Sequence, residues 1–193
     1  MLVACDRGVM IDIGGASTEF ALFDGGKPTK LASLPIGCLS LALAHVREIV
    51  PTAGEMGRIK AEIDRRISKT DWGEDAKRPQ MIGVGGTLRA ALKLSRAIFG
   101  LAPDQNDIEA SHVKKLARLL RDGEDKVYQA VYRAVPERVM TISPGLAILR
   151  QAIKNFGCET ISVSRYGVRE GYLTDRMLKA DGGHHIHRKR KEG

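Results

Sequence analysis

Residues 10–19, MIDIGGASTE, carry an apolar, strand-forming run into an acid, two glycines, two hydroxyls and a second acid. With Val9 before them, Met10, Ile11 and Ile13 predict a short buried strand, and Gly14-Gly15 lets the chain turn with its backbone N–H groups presented to a ligand. Such a turn forms a cradle for anions. Ser17 and Thr18 add neutral donors, whereas Asp12 and Glu19 repel phosphate oxygens unless a cation or a water lies between. The stretch therefore reads as a strand leading into a metal-assisted phosphate loop.

Outward from this loop, EFALFDGGKPTKLASLPIG alternates apolar residues on either side of Asp24-Gly25-Gly26, the turn chemistry of a β-hairpin. CLSLALAHVREIV then carries an apolar helical stripe, and GEMGRIKAEIDRRISK spaces Met56, Ile59, Ile63 and Ile67 on one helical face. The polar segment TDWGEDAKRP reads as a surface connection with Trp72 as a packing anchor. A strand from Met81 to Val84 runs into Gly85-Gly86-Thr87 and a helix, a second phosphate loop in which unpaired N–H groups and the positive end of a helix dipole coincide. A capped helix is expected over 111–120, another over 123–131, and a longer one introduced by Pro136. ETISVS supplies a short strand, and YGVREGYLTDRML a final amphipathic helix. This order predicts an α/β domain over 1–178 with a mixed sheet flanked by helices, and a polar, basic tail over 179–193 that is expected to be disordered.

The 193 residues are 43% apolar, enough for a sizeable core, and carry a formal charge of +8. The segment from 181 on holds four basic and two acidic residues, so the body alone keeps +6 and favours acidic partners. Aromatic residues are only 5%, and no basic cluster is interleaved with them, which argues against a nucleic-acid platform and for a small polyanionic substrate. Cys5, Cys38 and Cys158 have no zinc or cluster spacing and read as reduced and structural. The absence of a secretory signal or a membrane-length apolar run gives the expectation of a cytoplasmic protein with no membrane contact.

VMIDIGGASTEF, LPIGCLSL, IGVGGTLRAA, ERVMTISPGLAIL and ISVSRYGVREG, in this order, resemble the exopolyphosphatases and guanosine pentaphosphate phosphohydrolases. The resemblance spans roughly residues 8 to 178 and implies a ribonuclease-H-like fold of the actin, hexokinase and Hsp70 superfamily, with substrate held between two lobes. It implies that this chain corresponds to the second lobe. The first lobe, with its own glycine loop and a general base, is then missing, and the exposed cleft surface is expected to favour a homodimer. Carried over residue by residue, Asp12 and Glu19 are the catalytic acids and the ligands of Mg²⁺. Gly14, Gly15, Ala16, Ser17 and Thr18 hold one phosphate, and Gly85, Gly86 and Thr87 hold its neighbour. The implied reaction is attack of water on a terminal phosphoryl group of inorganic polyphosphate or guanosine pentaphosphate. Ala16 replaces a usual third glycine, and Arg165 stands where an aspartate often precedes the Tyr-Gly pair.

Arg89 and Lys93 lie one turn apart on the helix after the second loop, able either to reach polyphosphate or simply to face solvent. Arg169 and Glu170 fit capping better than catalysis. His184, His185 and His187 belong to the tail. Two other function classes share the loops: an ATP-dependent kinase or ATPase lobe, which needs an adenosine-binding glycine segment that GCETISVSRYG poorly supplies, and a non-catalytic module that holds or senses polyanions without cleaving them.

Overall fold

The computed structural model describes residues 6–73 and 75–167. Its strands are β1 (Arg7–Ile13), β2 (Thr18–Asp24), β3 (Lys27–Leu34), β4 (Gln80–Val84), β5 (Asp107–Glu109) and β6 (Thr160–Val163). The helices are α1 (Cys38–His45), α2 (Ala53–Ser68), α3 (Gly85–Phe99), α4 (Ala110–Arg121), α5 (Asp125–Ala134) and α6 (Ile142–Phe156). One six-stranded sheet runs in the order β3-β2-β1-β4-β6-β5, with β1, β4 and β6 parallel and β2, β3 and β5 in antiparallel pairings. This is the mixed α/β sheet the element order implies.

The expected hairpin joins β2 to β3 through Gly25 and Gly26 alone, with φ of 55° and 70°. Two consecutive residues at positive φ make the tight turn whose twist matches the flanking strands. Along β1 and β2, Val9, Ile11, Ile13, Phe20 and Leu22 are buried on one face, where Trp72 and Phe156 of α6 close over Phe20 with ring centroids 5.1 and 5.8 Å away. Trp72 is the anchor expected of it, and its indole N–H donates to the Ile67 carbonyl at 2.9 Å. The same face carries Gly83, whose missing side chain admits Leu88 of α3. On the opposite face Met10, Asp12, Glu19 and Ala21 are half-buried and Leu31 is 70% exposed.

Several boundaries differ from the sequence reading. Pro136 opens only a 3₁₀ turn, Pro136–Arg138, and α6 begins at Ile142 with Pro144 in its first turn, where a missing N–H costs nothing. Ser111 does not cap α4; that position belongs to Glu109, which accepts a hydrogen bond from the Ser111 hydroxyl. The three-residue edge strand β5 has no alternation long enough to read. The final helix of the sequence reading lies almost wholly outside the described residues, with Arg169, Glu170 and the tail. No described helix is long and apolar enough to cross a membrane.

Candidate phosphate site

Three strand ends meet at Asp12. It lies opposite Glu19 in the β1–β2 ladder and opposite Val84, the last residue of β4, in the β1–β4 ladder. Directly paired residues share a face, so the two carboxylates stand side by side on the face away from Ile11 and Ile13. Burial pushes the Asp12 carboxyl above the ordinary carboxylate range, the Glu19 charge pushes it the same way, and Arg89 pulls it back. Arg89 thus lies within electrostatic reach of the site, while Lys93 is exposed and forms no ion pair among the described residues. Glu19 accepts the Ser17 hydroxyl at 2.6 Å and the Ser33 hydroxyl at 3.0 Å, both on Oε1. Among the described residues Oε2 has no hydrogen-bond donor.

The first glycine loop is seated on α1. Cys38 N–H donates to the Gly14 carbonyl at 3.0 Å, and the N–H groups of Leu39 and Ser40 donate to the Gly15 carbonyl at 3.0 and 2.8 Å. The opening N–H groups of α1 are therefore engaged by the protein itself. Gly37 makes this close seating possible, because a Cβ there would lie on the Gly15 carbonyl and the Ala16 nitrogen. Within the loop, Gly14 N–H closes onto the Ser17 carbonyl at 2.9 Å. The N–H groups of Gly15, Ala16 and Ser17 have no backbone acceptor among the described residues, and Gly15 and Ala16 are exposed.

The second loop opens α3. Gly85 has φ +89°, a backbone conformation that favours glycine, and a Cβ on it would press on Asp12 Oδ1 and push the carboxylate from its place. Thr18, expected to offer its hydroxyl to phosphate, and Thr87, expected to hold the neighbouring phosphate, both turn their hydroxyls inward. Thr18 is fully buried and donates to the Ile36 carbonyl at 2.5 Å; Thr87, 2% exposed, donates to the Ile13 carbonyl at 3.0 Å. Buried hydroxyls take such partners because leaving them unpaired is costly. In this arrangement both hydroxyls fasten the loops, and backbone N–H groups there remain to face an anion.

Sequence reading missed Arg138. Its guanidinium lies against Gly86, where a Cβ would stand 2.9 Å from Cζ. The N-terminus of a helix disfavours a cation, and among the described residues Arg138 forms no ion pair. A positive side chain held at a positive helix end, with no ion-pair partner among the described residues, is the electrostatic complement of an anion. The glycine at 86 was legible; the arginine that fills its space comes from 52 residues downstream and had no local signal. Ser33 was missed for the same reason. Arg165 is exposed at the end of the described chain.

The donor set bears on a metal. No group of three or more His, Cys, Asp or Glu side chains that could hold an ion occurs among the described residues. That excludes an all-protein cage there, yet two adjacent carboxylates completed by water and phosphate oxygens are the arrangement Mg²⁺ favours.

A family model described as the Ppx/GppA phosphatase family matches residues 1–180. A guanosine-5'-triphosphate,3'-diphosphate pyrophosphatase from Photobacterium profundum is 26% identical over 180 residues, and one from Vibrio cholerae 25% over 179. These alignments take in 90% and 89% of this chain but 34% of each relative, so the chain spans about a third of the curated relatives it matches. The crystal structure of an Aquifex aeolicus Ppx/GppA family member superposes with a TM-score of 0.73 at 25% identity, over 91% of this chain and 57% of that one. An exopolyphosphatase from Cytophaga hutchinsonii gives 0.70 at 18% identity, over 92% and 58%, a likeness of fold.

Proposed function

Because the chain belongs to the Ppx/GppA phosphatase family, we propose that it is the phosphate-gripping lobe of a phosphoric anhydride hydrolase acting on inorganic polyphosphate or guanosine pentaphosphate. The observation that carries this reading is the convergence, at the ends of β1, β2 and β4, of two carboxylates, two glycine loops and the Arg138 guanidinium at the start of α3. Each element has a task in phosphoryl transfer to water, which is mostly positioning and charge neutralisation.

The free N–H groups of Gly15, Ala16 and Ser17 hold oxygens of one phosphate, and the first N–H groups of α3 with Arg138 hold those of its neighbour. Asp12 and Glu19, as acceptors, orient a water whose hydrogens point at them and whose lone pair points at the terminal phosphorus. Asp12 and Glu19 Oε2 are the groups that would hold Mg²⁺, which when bound supplies neutralisation of phosphate charge. Arg89 restrains the like-charge repulsion between the two acids. In this reading the remaining half of the cradle and a general base come from the first lobe, so the 193-residue chain alone is expected to release negligible phosphate.

The test is steady-state phosphate release from polyphosphate by this chain combined with a complementary first lobe. Glu19→Gln is expected to lower kcat about 100-fold or more with KM little changed, since its charge acts on the transition state rather than on binding. Unchanged kcat in that variant, or robust release by the chain alone, overturns the proposal.

A further inference from the structure

A cavity of about 340 Å³ opens between α2, α4 and α6, and no residue of either glycine loop lines it. Its size suits a small organic molecule. It persists because three facing helices present small residues there, Gly57, Ala117 and Ala147, where larger ones would have closed the gap. Met56 and Leu120 give it an apolar wall, and Lys60, Arg121, Arg150 and Lys154 surround it with positive charge. No aspartate or glutamate is among the lining residues.

The four cations are not all explained by the fold. Arg121 and Lys154 lie in the last turns of α4 and α6, where the helix dipole favours them, and Arg121 also pairs with Asp122 at 2.7 Å. Lys60 and Arg150 sit mid-helix without that benefit. Among the described residues Lys60, Arg150 and Lys154 form no ion pair. Arg150 and Lys154 are one turn apart on α6, a like-charge spacing that disfavours the helix. Their missing counter-charge, beside an apolar wall in a concave site, defines the occupant.

We propose that this cavity is a second ligand site, for a small organic phosphate with one apolar body against Met56 and Leu120 and at least two negative charges on the surrounding cations. It does not rest on the hydrolase reading, since it shares no residue with the Asp12 site.

Methyl NMR of the methionine-labelled 193-residue chain tests it with ADP as probe, the Met56 resonance being assigned by Met56→Leu. ADP is expected to shift the Met56 methyl saturably, adenosine to leave it unmoved, and inorganic pyrophosphate, with the same two phosphates and no apolar body, to bind there at least several-fold more weakly. Arg150→Glu with Lys154→Glu is expected to weaken ADP at least tenfold, the Gln pair serving as a milder version should the reversal unfold the chain. A Met56 methyl unmoved by ADP, equal ADP affinity in the charge variants, or pyrophosphate binding as tight as ADP each overturns the proposal.

Discussion

The surroundings of Asp12 disfavour its ionised form. Its carboxyl is pushed up, by burial first and by Glu19 second. The folded protein therefore binds that proton more tightly than the unfolded chain does, and stability falls as pH rises from the ordinary value of 3.8 through the folded one. The ionised acid opposes folding at neutral pH, and Asp12→Asn is expected to raise the thermal midpoint at pH 7 by an increment that shrinks as pH is lowered toward 3.8. Melting curves across that range check it, and an increment that grows on acidification refutes the assignment. Asp12, Glu19 and the four glycines of the two loops were legible because their chemistry is local. What Thr18 and Thr87 do was not, because the carbonyls they bond, Ile36 and Ile13, are chosen by tertiary packing.

At the scale of elements, strands and long helices followed their patterns closely. The stripe of Ile59, Ile63 and Ile67 became the buried face of α2, and the Gly25-Gly26 hairpin formed as read. The failures lie where local pattern and tertiary demand part, at Pro136 and at β5, which is too short to announce itself. The junction of the first loop with α1 is the element contact on which the site depends most. Gly37→Ala would place a methyl on backbone atoms of Gly15 and Ala16 that cannot swing aside. It is expected to cost about 1–3 kcal/mol in denaturant unfolding and to weaken tripolyphosphate binding as the loop shifts. Gly54→Ala, in a helix where an added Cβ meets nothing within 4 Å, is the control expected to cost neither.

For the whole molecule, the net charge of +8 sets a long-range field on top of the local cradle. Tripolyphosphate affinity for the chain is expected to fall steadily as ionic strength rises from 10 mM-scale buffers to about 0.15 M, where the screening length is about 8 Å. Calorimetry at the two salt levels measures it. Affinity that is unchanged would assign binding to contact chemistry alone. The architecture itself was legible from the order of its motifs, since hairpin, glycine loop and alternating helices admit few topologies. Which face of the sheet the helices leave half-covered became visible only with the strand register.

The Thr87 hydroxyl bond to Ile13 ties the start of α3 to the end of β1, and Asp12 is registered against Val84 in the adjoining strand. The two loops cannot drift apart or together without breaking a buried bond and slipping a parallel ladder. They form a caliper with locked jaws. If the two loops grip phosphates as proposed, an anion spanning them is expected to be judged by the pitch between its charged groups, so that a chain of evenly spaced phosphates binds where two equally charged but differently spaced groups do not.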